Sequence, residues 1–239
     1  GLRINKAADS ASGIVISETQ RAQINGLEQS VANIDRAVNF VQTADGALSD
    51  VNSLLLNLRQ LAVDSANGGA HTSADLTANQ TEATNLLATI DSINTRTKFG
   101  SLSVFTTNAS TFQVGAFQNE TEQVTVSSVS TASIGLGTVT LTTQSGASNA
   151  ITAIDSAIAT VSAKRGQIGA FQKNTLTSAQ GTVKTQLQNL QEAESSLRDT
   201  DFTSEIAKFT NEQIRSQAAQ TVLGLANQNA QSIVSLLRG

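Results

Sequence analysis

Apolar residues recur at steps of three, four or seven along the first third of the chain, which is the spacing of one face of an α-helix. The stripe predicts one long helix that starts near Asp9 and ends at Asn67-Gly68-Gly69. At 1.5 Å per residue, about 58 residues would form a rod of roughly 85 Å. The stripe consists of Leu27, Val31, Ile34, Val38, Val41, Leu48, Val51, Leu55, Leu58 and Ala62.

The following segments predict a shorter helix and then a change to β-structure. A second helix is expected from about Ser73 to Thr95, with Ser73 and Asp75 as its cap and first-turn residues. Residues 111–149 contain no Lys or Arg, and the stretches "TFQVGAF" and "EQVTVSSV" within them alternate apolar with polar positions. This alternation predicts one or two β-hairpins with a turn at Asn119-Glu120, followed by an extended or loop segment.

A second helical stripe fills the rest of the chain. It starts near Ser148, and Gly166, Gly169 and Gly181 within it would allow close approach or bending. The charged stretch "LRDTDF" (197–202) predicts a joint, after which helix resumes to the end. The fold class predicted is mainly α: a long antiparallel helical bundle or coiled-coil rod with a small β-hairpin insert. The second stripe comprises Ile151, Ile154, Ile158, Val161, Ile168, Val183, Leu187, Leu190 and Leu197.

Composition excludes several kinds of chemistry and partner. The 239 residues include no Cys, so disulfides and thiolate metal sites are absent. The chain is 39% hydrophobic but 3% aromatic, so its apolar surface is mostly aliphatic and suits thin seams between helices. A net charge of −4 argues against a nucleic-acid partner. No apolar run reaches about 18 residues, so no membrane span is predicted.

Residues that could carry catalysis are sparse. His71 is the only histidine and lies in a Gly-rich loop, where we expect a solvated side chain with nothing local to fix it. The carboxylate pairs Glu192/Glu194 and Asp199/Asp201 sit on helices or at the joint. An N-cap role for Asp199 or Asp201 is favoured over acid–base chemistry. The sequence therefore predicts no enzyme, no catalytic or metal site and no cofactor.

Motifs along nearly the whole chain resemble those of bacterial flagellins. The opening "GLRINKAADSASG" is followed in the flagellin order by "VQTADGALSDVN", "LRQLAVDSAN", "TKFGSLSV", "TFQVGA", "STASIGL", "RGQIGAFQKN", "FTNEQIRSQAAQTVLGLANQ" and "SIVSLLR". Two positions depart from the family pattern: Ser10 stands where a second Asp is frequent, and Ala230 where Pro is frequent. The chain is similar to a short flagellin without large outer domains.

The resemblance implies a division into four segments. Residues 1–110 would be the two-helix N-terminal part of a rod domain, and residues 111–149 its β-hairpin and loop insert. Residues 150–198 would be the long C-terminal rod helix, and residues 199–239 the C-terminal helix of an inner, filament-core domain. The inner N-terminal helix that pairs with this last segment would come from residues before Gly1. We accordingly expect the printed chain not to polymerise by itself.

The function that the resemblance implies is structural. Subunits would be secreted and would polymerise outside the cell into the flagellar filament that drives swimming. A flagellar hook–filament junction protein is the nearest alternative. A stand-alone helical-bundle adaptor and an enzyme built on a flagellin scaffold are alternatives of other classes.

The same resemblance implies partners and contact residues. They are other copies of the chain, an export chaperone at the C-terminus, junction and cap proteins, and an innate immune receptor, Toll-like receptor 5. The receptor would face Asn57, Arg59, Leu61 and Glu82; Asn57 occupies the position of the family's anchoring Arg, so weak signalling is expected. The filament-core and chaperone contacts would be Ile206, Phe209, Val222, Leu225, Ile233, Val234, Leu236 and Leu237.

Overall fold

The described residues form five α-helices, one π-helical segment and two small hairpins. The computed structural model describes the backbone of residues 1–238 and the side chains of residues 1–228. The mainly α class with a small β insert is confirmed. In chain order the elements are α1 (Ala11–Ser65), α2 (Ser73–Arg96), β1 (Lys98–Phe99), β2 (Leu102–Ser103), β3 (Ser110–Gln113), β4 (Thr121–Val124), α3 (Gln144–Ala170), a π-helical segment (Phe171–Leu176), α4 (Thr177–Arg198) and α5 (Phe202–Arg238).

Side-chain caps define where the first two helices begin. The Ser10 hydroxyl accepts a hydrogen bond from the Gly13 N–H at 3.1 Å, so Ser10 caps α1. Helix α2 is capped by Thr72 and not, as predicted, by Ser73. The Thr72 hydroxyl accepts from the Asp75 N–H at 3.3 Å, and the Asp75 carboxylate accepts from the Thr72 N–H at 2.8 Å. This reciprocal pair is a capping box.

Residue contacts divide the chain into two compact units. The terminal unit combines Gly1–Ala22 with Leu190–Gly239, and the central unit is Gln23–Asn189. The domain limits predicted at residues 110, 149 and 199 remain a prediction.

The core of the central unit is built on α1. Most of the predicted stripe is buried there, whereas Val31 and Val38 are only half-buried. The stripe is also wider than predicted, because Phe40 and three alanines join it. The Phe40 ring lies 5.9 Å from that of Phe99 and 5.6 Å from that of Phe112, which packs both hairpins onto α1. The additional buried apolar residues between Leu27 and Ala62 are Ala37, Phe40, Ala44 and Ala47.

Helices α1 and α3 run antiparallel in the central unit. The Arg59 guanidinium bonds the Asp155 carboxylate at 2.7 Å, and the Arg165 guanidinium bonds the Asp45 carboxylate at 2.8 Å. Positions thus descend along α1 as they ascend along α3. Small side chains dominate the buried face of α3, which suits close helix packing: Ala147, Ala150, Ile154, Ala157, Val161 and Ile168.

A π-helical segment shifts the register of the second stripe. Buried positions follow the helical spacing up to Ile168, but the next, Leu176, comes eight residues later. A π-turn absorbs one extra residue, so the segment Phe171–Leu176 keeps Leu176 and then Val183 on the buried side. A Cβ built at Gly166, Gly169 or Gly181 meets nothing within 4 Å, so the described chain shows no close approach there, and the alternative that these glycines allow bending stays a prediction.

Two hairpins precede a loop that is fastened to α2. Strands β3 and β4 pair antiparallel, and Asn119 has a φ of 69° in their connection, which confirms the predicted turn. The β1–β2 hairpin, with a φ of 64° at Gly100, was not predicted. Side chains of α2 then hold the loop: the Asp91 carboxylate accepts from the Thr131 N–H at 2.8 Å, and Gln80 Oε1 accepts from the Leu141 N–H at 2.6 Å.

Candidate functional site

Helix α5 carries a long series of exposed apolar side chains in the terminal unit. Their exposed fractions range from 49% at Ile206 to 71% at Phe202. Every described residue of α5 is exposed, and its large apolar side chains point to several sides of the helix. Exposed apolar surface on this scale marks a candidate interaction site. The residues concerned are Phe202, Ile206, Phe209, Ile214, Val222, Leu223 and Leu225.

The central unit exposes far fewer such side chains. Among residues with described side chains, its exposed large apolar residues are Leu56, Val63, Leu102 and Phe117. The terminal unit is the smaller of the two and adds Leu2, Val15 and Ile16 to those of α5. Incomplete burial is therefore a property of the terminal unit, whereas the central unit covers most of its apolar surface by itself.

The start of α5 is fixed by its cap. Asp201 Oδ1 accepts from the N–H groups of Thr203 and Ser204 at 3.0 and 3.2 Å, which confirms the N-cap expected at this joint. Beside the cap lies an apolar hollow of 380 Å³. Its lining is Gly1, Thr200, Phe202, Glu205, Ile206 and Phe209.

The predicted assembly residues fall into two groups. Ile206, Phe209, Val222 and Leu225 are all exposed on α5. The side chains of Ile233, Val234, Leu236 and Leu237 lie outside the described residues. The exposed apolar residues Phe202, Val15 and Ile16 were not singled out from the sequence. Phe202 could have been found from its position directly after the Asp201 cap.

The four predicted receptor-facing residues all lie in the central unit. Asn57 is exposed on α1 and Glu82 is exposed on α2. Leu61 is half-buried, and Arg59 has its guanidinium paired with Asp155. Asn57 and Glu82 thus present free surface, whereas Arg59 already has a partner within the chain.

The titratable side chains singled out in the sequence have structural partners. His71 was expected to be solvated with nothing to fix it, and this was wrong. Its Nε2 lies 3.3 Å from Asp64 Oδ1, and the side chain is only 18% exposed. Asp199 accepts a hydrogen bond from the Ser195 hydroxyl at 2.7 Å, and Glu194 lies 3.7 Å from the Arg198 guanidinium.

The described part of the chain holds neither a metal-binding cluster nor a membrane-spanning helix. No group of three or more His, Asp or Glu side chains there is arranged to hold a metal ion. No helix in the same region combines the length and apolar character needed to cross a membrane.

Comparison with known proteins gives the family. Residues 1–110 match the family model for the bacterial flagellin N-terminal helical region, and residues 151–237 match that for the C-terminal helical region. The flagellin of Halalkalibacterium halodurans is 38% identical over 242 residues, covering 100% of this chain and 88% of that protein. The chain belongs to the bacterial flagellin family.

Other flagellin relatives agree in sequence and structure. The flagellar filament 30.7 kDa core protein of Treponema maltophilum is 34% identical, covering 99% of this chain and 88% of its own. The crystal structure of Bacillus cereus flagellin has a TM-score of 0.53 at 25% identity, covering 74% of this flagellin and 94% of that chain.

A likeness to a hook-associated protein concerns the fold alone. The putative flagellar hook-associated protein from Vibrio parahaemolyticus has a TM-score of 0.67 at 14% identity, covering 80% of this flagellin and 100% of that chain. The curated relatives instead support a structural filament subunit. The predicted structural function is confirmed, and the junction-protein, adaptor and enzyme alternatives are not favoured.

Proposed function

We propose that copies of this flagellin polymerise outside the cell into the flagellar filament and that the exposed apolar side chains of α5 form the surface buried by assembly. The observation that carries this proposal is the run of exposed apolar side chains from Phe202 to Leu225. Burying one such side chain fully is worth about 1.5–3 kcal/mol, so several together supply a strong drive for association. Head-to-tail contacts that do not close then extend into a helical polymer.

A matched pair of substitutions tests the assembly surface. Phe209 is 69% exposed in the terminal unit, and Phe117 is 57% exposed in the central unit. Phe209→Ser in the full-length protein is expected to raise the critical subunit concentration for filament growth roughly tenfold or more, since that loss corresponds to at least about 1.4 kcal/mol. Phe117→Ser, which removes the same ring elsewhere, should leave the concentration near that of the wild type. Equal effects of both substitutions would refute an assembly surface on α5.

The same surface is the binding site that we propose for an export chaperone. An unpolymerised subunit needs its exposed apolar helix covered, and a chaperone groove can take the side chains at helical spacing on α5. A variant truncated after Thr200 should show no chaperone binding when its affinity is measured by isothermal titration calorimetry. Retained affinity after the cut would place the site on other residues. Junction and cap proteins are proposed as further neighbours of the assembled subunit.

The central unit is the part that we propose for contact with Toll-like receptor 5. Asn57 and Glu82 are exposed there, whereas the Arg59 guanidinium is held by Asp155 at 2.7 Å. An amide at position 57 cannot form the charge-assisted bonds of an arginine, so signalling by the wild type should be weak.

A reporter-cell assay of the full-length protein tests this contact. Asn57→Arg is expected to increase receptor signalling roughly thirtyfold in potency, the gain typical of one anchoring arginine. Asn67→Arg, at another exposed position of the same unit, is the charge-matched control and should have no effect. Full potency of the wild type, unchanged by Asn57→Arg, would show that the contact surface is elsewhere.

A further inference from the structure

Two chain segments far apart in sequence meet at the joint before α5. Leu2 and Asp199 form an antiparallel β-bridge in the terminal unit. The Arg3 N–H donates to the Arg198 carbonyl at 2.7 Å, and the Thr200 N–H donates to the Gly1 carbonyl at 3.1 Å. The backbone that leads into α1 is therefore paired with the backbone that leads from α4 into α5.

Two arginines reinforce this pairing from opposite sides. The Arg3 guanidinium donates to the Leu197 carbonyl at 2.9 Å, and the Arg198 guanidinium donates to the Ile4 carbonyl at 3.3 Å. Leu197 and Arg198 end α4, where carbonyl groups have no partner within the helix. Arg3 thus supplies donors to the C-terminus of α4, and its positive charge also suits that end of the helix dipole.

Arg198 is the more enclosed member of the pair. Its side chain is 13% exposed, and its Nη1 lies 3.8 Å from Glu18 Oε1 and 3.7 Å from Glu194 Oε1. The Ser17 hydroxyl donates to the same Glu194 oxygen at 3.5 Å. One guanidinium therefore connects α1, α4 and the segment before α1.

A buried side chain anchors the N-terminal segment beside this guanidinium. Ile4 is 6% exposed, and a Cβ built on Gly13 would lie 2.6 Å from the Ile4 Cδ1 atom. Gly13 consequently leaves the space that Ile4 fills. The segment before α1 is held by packing as well as by hydrogen bonds, so its backbone carbonyl and N–H groups stay in place to bond the end of α4.

We propose that Arg198 is a positioning residue for assembly: together with Arg3 it clamps Gly1–Ile4 to the end of α4 and so fixes the place where α5 begins. The inference rests on the proposed role of α5 as the assembly surface. A helix that starts from a fixed point presents its apolar side chains in one arrangement, and less ordering entropy is lost when the next subunit binds. Loosening the clamp should therefore weaken assembly without removing any apolar contact residue.

The test compares Arg198→Ala, Arg198→Lys and the control Arg36→Ala in the full-length protein. Arg36 is exposed on α1 in the central unit and lies outside the clamp. The measurements are amide hydrogen exchange at Arg3 and Thr200, the critical concentration for filament growth, and the unfolding midpoint of the central unit.

For Arg198→Ala we expect roughly tenfold faster exchange at both amides and a severalfold higher critical concentration, with the central-unit midpoint unchanged. Arg198→Lys should fall between, because it keeps the charge but lacks the planar fork of donors. Arg36→Ala should match the wild type. Arg3→Ala, which removes only the guanidinium bond to Leu197, is a milder second variant and should shift the same two readouts in the same direction.

Two results would overturn the inference. One is unchanged exchange at Arg3 and Thr200 in Arg198→Ala. The other is faster exchange with an unchanged critical concentration, which would show that the clamp stabilises the joint locally but does not affect assembly. If Phe209→Ser assembled like the wild type, the assembly surface would be refuted separately, and amide exchange would still decide whether the clamp exists.

Discussion

The hydroxyl group of Thr72 caps the N-terminus of α2. Its oxygen accepts from the Asp75 N–H, and the neighbouring Ser73 is the first helical residue. We expect Thr72→Ala to lower the free energy of unfolding by about 1 kcal/mol, the usual cost of losing an N-cap. Ser73→Ala is the matched control and should change stability little. Denaturant unfolding followed by circular dichroism measures both; an equal cost would show that Ser73 shares the capping role.

Asp75 makes the same cap sensitive to pH. The Thr72 N–H and then its hydroxyl donate to the Asp75 carboxylate, and these bonds hold the pKa of Asp75 below its ordinary value. A depressed folded pKa means stability that is present above the unfolded pKa and lost as pH falls through the folded one. The stability difference between wild type and Asp75→Asn should therefore shrink across that acidic range. A difference that stays constant with pH would contradict the assigned hydrogen bonds.

Sequence reasoning at single residues succeeded where the effect is local. A cap at Asp199 or Asp201 was expected because a short acidic side chain after a break in the apolar stripe satisfies free N–H groups, and Asp201 is the residue that caps α5. The error at His71 has the opposite cause, since its partner Asp64 belongs to the preceding helix and is brought near by the turn between them. Ser73 was chosen over Thr72 because both are good caps and only the backbone decides between them.

At the scale of elements, two of the three glycines in α1, Gly26 and Gly46, have different surroundings. A Cβ on Gly46 would meet nothing within 4 Å, whereas a Cβ on Gly26 would lie 3.0 Å from the Ala116 Cβ. Gly46→Ala should raise the free energy of unfolding by roughly 0.5–1 kcal/mol, because alanine restricts the unfolded chain. Gly26→Ala should gain less or lose stability, because Ala116 must move. Thermal unfolding of the two variants measures these changes in stability. An equal gain at both sites would show that Ala116 moves away from the added methyl group at no cost.

The apolar stripes predicted the elements well but not their local irregularities. Spacing located α1 and α2 because a helical period persists over many residues. The π-segment escaped notice since one extra residue in a stripe resembles ordinary scatter. The short β1–β2 hairpin also escaped, because strands of two residues have no alternation to detect. The alanines that widen the α1 core are equally common on solvent-facing helix surfaces.

At the scale of the whole molecule, the important property is which helices leave their apolar side chains exposed to solvent. Both α1 and α5 carry many apolar residues, yet Leu55 of α1 is fully buried and Phe209 of α5 is 69% exposed. A sequence period shows that a helix has an apolar face but not whether its own chain covers that face. The assembly surface was therefore expected from family resemblance alone, and its exposure is a finding of the structure.

If assembly buries the exposed apolar side chains of α5, hydroxyl-radical footprinting of the full-length protein measures this burial directly. The measurement compares oxidation of individual side chains in monomer and filament. We expect Ile206, Phe209 and Leu225 to lose most of their reactivity in the filament. Leu102, which is 67% exposed in the central unit, serves as the reference and should change little. Equal reactivity of the three α5 residues in monomer and filament would contradict the account.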